Sequence, residues 1–162
     1  MKILIAYYSK TGNTEAISVA IKEALESTCQ VDVLKIEMVK QYAHRLSHLN
    51  PRIFFDTILN RKPKIRSVVD LTQYDLVCVG TPNWYGRTAP PVNTFIEEMT
   101  HIEGKKVIGF VSSGWGWESY ADDFRRRLEK KGLEVLKALS FTLREISESQ
   151  LEGIRETLAS IK

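Results

Sequence analysis

The sequence predicts an α/β fold, a three-layer sandwich in which a five-stranded parallel sheet lies between two layers of helices. Two observations carry this. Short apolar runs alternate with longer segments of helical period, and the most apolar runs are almost uninterrupted, as strands covered on both faces must be. Segments 3–8, 76–80 and 107–111 are of that kind and are expected to be central. Segment 31–36 is interrupted by Asp32 and Lys35, and Glu134–Thr142 by Lys137 and Ser140, so these two are expected at the sheet edges.

Four helices follow from spacing. Ala16, Ile17, Ala20, Ile21, Ala24 and Leu25 form one stripe, and Val92, Phe95, Ile96 and Met99 a second. Recurrence at three and four residues puts each set on a single buried face. Tyr120, Ala121, Phe124 and Leu128 form a third, and Leu151, Ile154, Leu158 and Ile161 a fourth. Ser147 and Gln150, at capping-box spacing, are expected to open the last helix. Segment 38–74 follows no such period. It holds Pro51, Pro63 and the apolar patch Ile53, Phe54, Phe55, Ile58 and Leu59, and is expected to be a helical excursion with loops.

Composition bounds the function. A chain of 162 residues suits a single domain over 1–162, and with 27% charged and 43% hydrophobic residues no run is long and apolar enough to cross a bilayer. Residues 1–8 turn polar by Ser9, too soon for a signal segment. Cys29 and Cys78 imply no disulfide framework, so the cytoplasm is the expected compartment. The net charge of +3 is uneven: within 40–66, Lys40, Arg45, Arg52, Arg61, Lys62, Lys64 and Arg66 face one acid, Asp56, giving +6 there and −3 elsewhere. Neither a binding motif nor basic residues interleaved with stacking aromatics appears elsewhere in the chain, so the stretch is not read as nucleic-acid binding. It is either a solvated face or a dock for an acidic redox partner.

The most informative motif is Tyr8-Ser9-Lys10-Thr11-Gly12-Asn13-Thr14, between the first strand and the first helix. A hydroxyl-rich turn that opens a helix offers free N–H groups, hydroxyls and the positive end of the helix dipole to an anion. Gly12 lets the turn close around a dianion. The spacing of a triphosphate-binding loop is absent.

Here the chain resembles the flavodoxin family. The Ser9-x-Thr11-Gly12-x-Thr14 pattern is similar to that family's loop for the phosphate of flavin mononucleotide (FMN). The resemblance therefore implies FMN as cofactor, with Ser9, Lys10, Thr11, Gly12, Asn13 and Thr14 around its phosphate. It also implies the doubly wound strand order 2-1-3-4-5, with ligand at the switch point beside strands one and three. The loop after strand three contains Thr81, Pro82, Asn83, Trp84, Tyr85 and Gly86. Trp84 resembles the family's inner stacking aromatic, Tyr85 is its rival, and Gly86 stands near the peptide that family members use toward the flavin. Arg87 would raise the flavin potential if it reached the ring. The loop after strand four supplies Ser112, Ser113, Gly114 and Trp115 to the pyrimidine edge and outer face, while Trp117 is equally suited to core packing.

Other candidates carry less. His44 and His48 have helical i, i+4 spacing but no third ligand, and Cys78 reads as an inert core filler. The expected function is single-electron shuttling between proteins through FMN. The alternatives are an FMN-dependent NAD(P)H:quinone-type oxidoreductase and a flavin-free binding module.

Overall fold

A computed structural model of the chain describes residues 1–43, 50–67, 69–114, 119–142 and 146–161. Five parallel strands form the sheet: β1 (Lys2–Tyr7), β2 (Gln30–Lys35), β3 (Leu76–Trp84), β5 (Lys106–Ser113) and β6 (Glu134–Thr142), in the order β2-β1-β3-β5-β6. A two-residue strand, β4 (Arg87–Thr88), pairs antiparallel with the end of β3. Without β4 this is the expected doubly wound order. The polar interruptions of β2 and β6 do mark the edges.

Helices α1 (Asn13–Leu25) and α5 (Glu148–Ala159) cover one face of the sheet. Their Ile17, Ile21, Leu25, Ile154 and Leu158 pack with Ile3, Ile5, Cys78, Ile108 and Phe110. Helices α2 (Pro51–Ile58), α3 (Pro90–Glu98) and α4 (Ser119–Lys131) lie on the other. There Ile53, Val92, Phe95, Phe124 and Leu128 pack with Leu4, Ala6, Val77, Val79 and Val111. Alternate residues of each central strand feed opposite cores, which is why those strands read as continuous apolar runs. Among the described residues no helix is long and apolar enough to cross a membrane.

Two local expectations are revised. β3 does not end at Gly80: Thr81 and Pro82 stay paired with Val111 and Ser112, and the chain then folds back through Tyr85 and Gly86, at φ 51° and 74°, into β4. Two successive positive φ values are the signature of a tight two-residue hairpin, which a sequence normally announces with Asn or Gly first rather than Tyr. The capping box at Ser147 does not form: Gln150 donates instead to the carbonyl of Ser140 at 2.7 Å, tying α5 to edge strand β6. The excursion at 38–74 is anchored by antiparallel contact, with Val39 N–H on the Lys64 carbonyl (2.9 Å) and Arg66 N–H on that of Glu37 (2.8 Å). Its helix α2 starts conventionally, with the Asn50 side chain accepting from Arg52 N–H at 3.0 Å and Pro51 in the first turn.

Buried Cys78 has its thiol pushed up to about 12 by desolvation, so it stays protonated and inert. Gly80 is required for another reason: a Cβ there would lie 2.2 Å from the Phe110 ring, which crosses directly over the strand. Gly80→Ala is expected to destabilise the fold by about 1–3 kcal/mol through overpacking. Urea denaturation checks this, and combining it with Phe110→Leu should cost less than the two single changes added together.

Candidate functional site

The carboxyl ends of β1, β3 and β5 meet at one edge. Tyr8 N–H donates to the Gly80 carbonyl at 3.2 Å. The Thr14 and Ser112 hydroxyls, both buried, share a hydrogen bond of 2.7 Å, which ties the start of α1 to the end of β5. Between them lies the turn 9–13. Gly12 is the N-cap of α1 at φ 92°, so no side chain caps that helix. An added Cβ would meet nothing within 4 Å, hence the position is restricted by its backbone angle and not by crowding. Ser9 Oγ accepts from Gly12 N–H at 3.1 Å and closes the turn, while the Asn13 amide donates to Thr11 Oγ1 at 3.1 Å. Thr11, Gly12 and Asn13 are exposed. An uncapped helix N-terminus ringed by hydroxyls suits a phosphate dianion.

Two charged side chains in and just after this turn face elsewhere. Lys10 Nζ donates to the carbonyls of Ala43 (3.0 Å) and Tyr42 (3.3 Å), and desolvation lowers its pKa. Lys10 thereby ties the turn to the excursion. Glu15 is held below the usual carboxylate range, chiefly by its hydrogen bond from Lys35 (2.9 Å), and also accepts from the Tyr7 hydroxyl (3.1 Å).

Beside the turn stands an aromatic cluster. Trp84 is half-buried and meets Tyr8 edge to face (5.6 Å, 88°) and Tyr42 likewise (5.7 Å, 70°). Burial pushes the Tyr8 phenol up to about 12. The Tyr42 hydroxyl donates to Asp56 at 3.1 Å. That carboxylate is only 4% exposed and sits 3.5 Å from both Arg52 and Arg61. The Arg52 guanidinium also lies 5.1 Å from the Tyr42 ring centre. Tyr42 is thus fixed from three sides, and burial raises its pKa. Trp84 and Tyr85 diverge, because the turn points Tyr85 outward against Phe54 at 5.3 Å.

The remaining sequence candidates are distributed as follows. Thr81 Oγ1 accepts from Ala89 N–H (3.1 Å) and donates to the Pro82 carbonyl (3.0 Å). Asn83 Oδ1 is buried with no hydrogen-bond partner among the described residues. Gly86 completes the hairpin turn, and Arg87 pairs across it with Trp84. Ser112 and Ser113 are buried at the end of β5 and Gly114 is exposed. Trp115, Trp117, His44 and His48 lie outside the described residues. A concavity of about 640 Å³ borders edge strand β2, lined by Leu4, Val31, Val33 and Tyr74 among others, and belongs to none of the three loops.

A doubly wound sheet with an uncapped, hydroxyl-ringed helix start at its switch point defines an α/β protein suited to a phosphate-bearing ligand. A family model described as flavodoxin matches residues 2–145, and the chain belongs to that family. It is 31% identical over 99 residues to an NAD(P)H dehydrogenase (quinone) of Cupriavidus metallidurans, covering 60% of this chain and 46% of that one. The chain thus spans about half the length of the curated relatives it matches. Its fold is similar to that of a candidate flavoprotein from Bacteroides eggerthii, with TM-score 0.77, 23% identity and 98% of each chain covered. It is also similar to a Lactobacillus acidophilus flavoprotein crystallised with FMN, with TM-score 0.71 and 22% identity over 86% of this chain and 92% of that one.

Tyr42 and Asp56 had no sequence signal beyond one acid among many cations. Tyr42→Phe removes a donor from a buried carboxylate and is expected to lower stability by about 1.5–3 kcal/mol. Denaturant titration decides it: unchanged stability would mean that the two arginines satisfy Asp56 alone.

Proposed function

We propose that the chain binds FMN non-covalently at the carboxyl edge of the sheet and carries electrons between redox partners. The observation that carries this reading is the adjacency of the uncapped start of α1 to the Trp84 cluster. When bound, FMN supplies reversible uptake and release of electrons, which no side chain here can provide. Ser9, Thr11, Asn13 and the first N–H groups of α1 hold the phosphate. Thr14 acts from below, fixing Ser112 so that the first and third loops keep their spacing. Trp84, braced by Tyr8 and Tyr42, presents an apolar wall that excludes water and disfavours extra negative charge on the ring. Ser112, Ser113 and Gly114 bring backbone groups to the opposite edge. Two free thiols suit a cytoplasmic setting.

A second reading is an NAD(P)H:quinone-type oxidoreductase. The names of the relatives near 30% identity favour it, as does Arg87, whose cross-strand pairing with Trp84 puts a cation on the aromatic hairpin. A nearby cation stabilises a reduced, anionic ring and so favours two-electron chemistry. Anaerobic addition of NADPH or NADH separates the two: rapid bleaching of the visible spectrum supports the reductase, and no bleaching supports the shuttle.

FMN is expected to bind at least about tenfold more tightly than riboflavin, since one charge-assisted phosphate contact is worth about 1.5–3 kcal/mol. Equal affinity in a fluorescence titration would remove the phosphate from the site. Trp84→Ala should loosen FMN and raise its midpoint potential, whereas Tyr85→Ala should leave the potential closer to that of the parent protein. Spectroelectrochemistry reads both, and the reverse ranking would give the stacking role to Tyr85.

A further inference from the structure

Helix α2 is built inside out. Its inward face carries Ile53, Asp56 and Thr57, while Phe54 (43% exposed), Phe55 (54%), Ile58 and, just past the helix end, Leu59 (57%) face outward. None of these four belongs to either core cluster, so the packing of the sheet does not account for them. The rings are continuous: Phe55 meets Phe54 at 5.5 Å, and Phe54 meets Tyr85 at 5.3 Å, both edge to face. The apolar surface therefore runs from α2 to the tip of the hairpin that carries Trp84. A contiguous exposed patch of this kind marks an interaction site more often than an accident of packing.

The chain within and just after α2 is rich in cations. Arg52 and Arg61 share the one buried carboxylate of Asp56, which neutralises at most one of them. Lys62 reaches Glu97 on α3 at 3.1 Å, and Lys64 and Arg66 follow, both exposed. A hydrophobic centre bordered by an excess of one charge is the layout of a docking surface for a partner of the opposite sign. Two copies meeting through this face would set the rim against itself, which opposes self-association.

We propose that α2 and the tip of the β3–β4 hairpin dock an acidic electron-transfer protein. An apolar spot on the partner covers Phe54, Phe55 and Tyr85, and its carboxylates face Arg61, Lys62, Lys64 and Arg66. The electron-transfer role of the partner rests on the flavin reading above, whereas the docking itself does not.

Direct binding tests it. A dye-labelled plant-type [2Fe–2S] ferredoxin serves as the acidic probe and dye-labelled cytochrome c as the basic one, each titrated with the purified protein and followed by anisotropy. The ferredoxin should bind at low salt and weaken about tenfold or more as the Debye length falls to a few ångströms, while cytochrome c should not bind. Lys62→Glu, Lys64→Glu and Arg66→Glu together, which leave the Asp56 pairs intact, should reduce the salt dependence and weaken binding. Phe55→Ser with Leu59→Ser should weaken binding by a similar factor at every salt concentration. Ferredoxin binding that is unchanged in both variants, or cytochrome c binding as tightly as ferredoxin, would overturn the proposal. So would a parent protein that sediments as a dimer and becomes monomeric on Phe55→Ser. Failure of the flavin reading shows separately, as a preparation that takes up no FMN, and leaves the anisotropy result readable.

Discussion

The pairing of β1 with β2 on one side and β3 on the other governs the rest of the molecule. Lys2 to Tyr7 are in register with Gln30 to Lys35, and Ile3 to Tyr7 with Leu76 to Gly80, so the chain leaves β1 toward one face of the sheet and leaves β3 toward the other. The two connections diverge and open a crevice at the carboxyl edge. The turn 9–13, the Trp84 hairpin and the end of β5 at Ser112 to Gly114 are brought together by that divergence. The Thr14–Ser112 hydrogen bond then holds the crevice at a set width from beneath. Apolar burial on both faces keeps the register from slipping, because a shift of one residue would exchange the two cores.

A second set of contacts extends this edge outward. Lys10 grips the backbone at Tyr42 and Ala43, Tyr42 braces Trp84 and donates to Asp56, and Asp56 gathers Arg52 and Arg61. The excursion is therefore fastened to the candidate site at polar points, although its helix turns apolar side chains to solvent. A buried carboxylate shared by two arginines and a phenol is costly to disturb once assembled. Removing one partner would be felt from the turn 9–13 to α2.

How much of this could be read beforehand differs by element. Strands 3–8 and 107–111 and the stripe from Ala16 to Leu25 were legible because burial imposes a period on the sequence, and Gly12 among hydroxyls was legible because a turn imposes residue types. The hairpin was not, since Tyr85 stands where Asn or Gly would have announced it. Ser147 and Gln150 had the right spacing for a cap, but Gln150 found a carbonyl on β6, a choice set by tertiary neighbours and invisible in local sequence. Tyr42 and Asp56 are 14 residues apart and meet only once α2 has packed, so no periodicity could report them.

The hairpin turn has a consequence for how this protein would respond to selection. A residue other than glycine at φ 51° is held in a sparsely populated conformation at a cost on the order of 1 kcal/mol, and Asn or Gly at position 85 would relieve much of it. A library sorted only for thermal resistance would therefore drift away from tyrosine there, giving up the exposed ring that continues the aromatic surface of α2. One sorted for work at that surface would retain the ring and accept the less stable turn, so enrichment at this single codon would distinguish the two pressures.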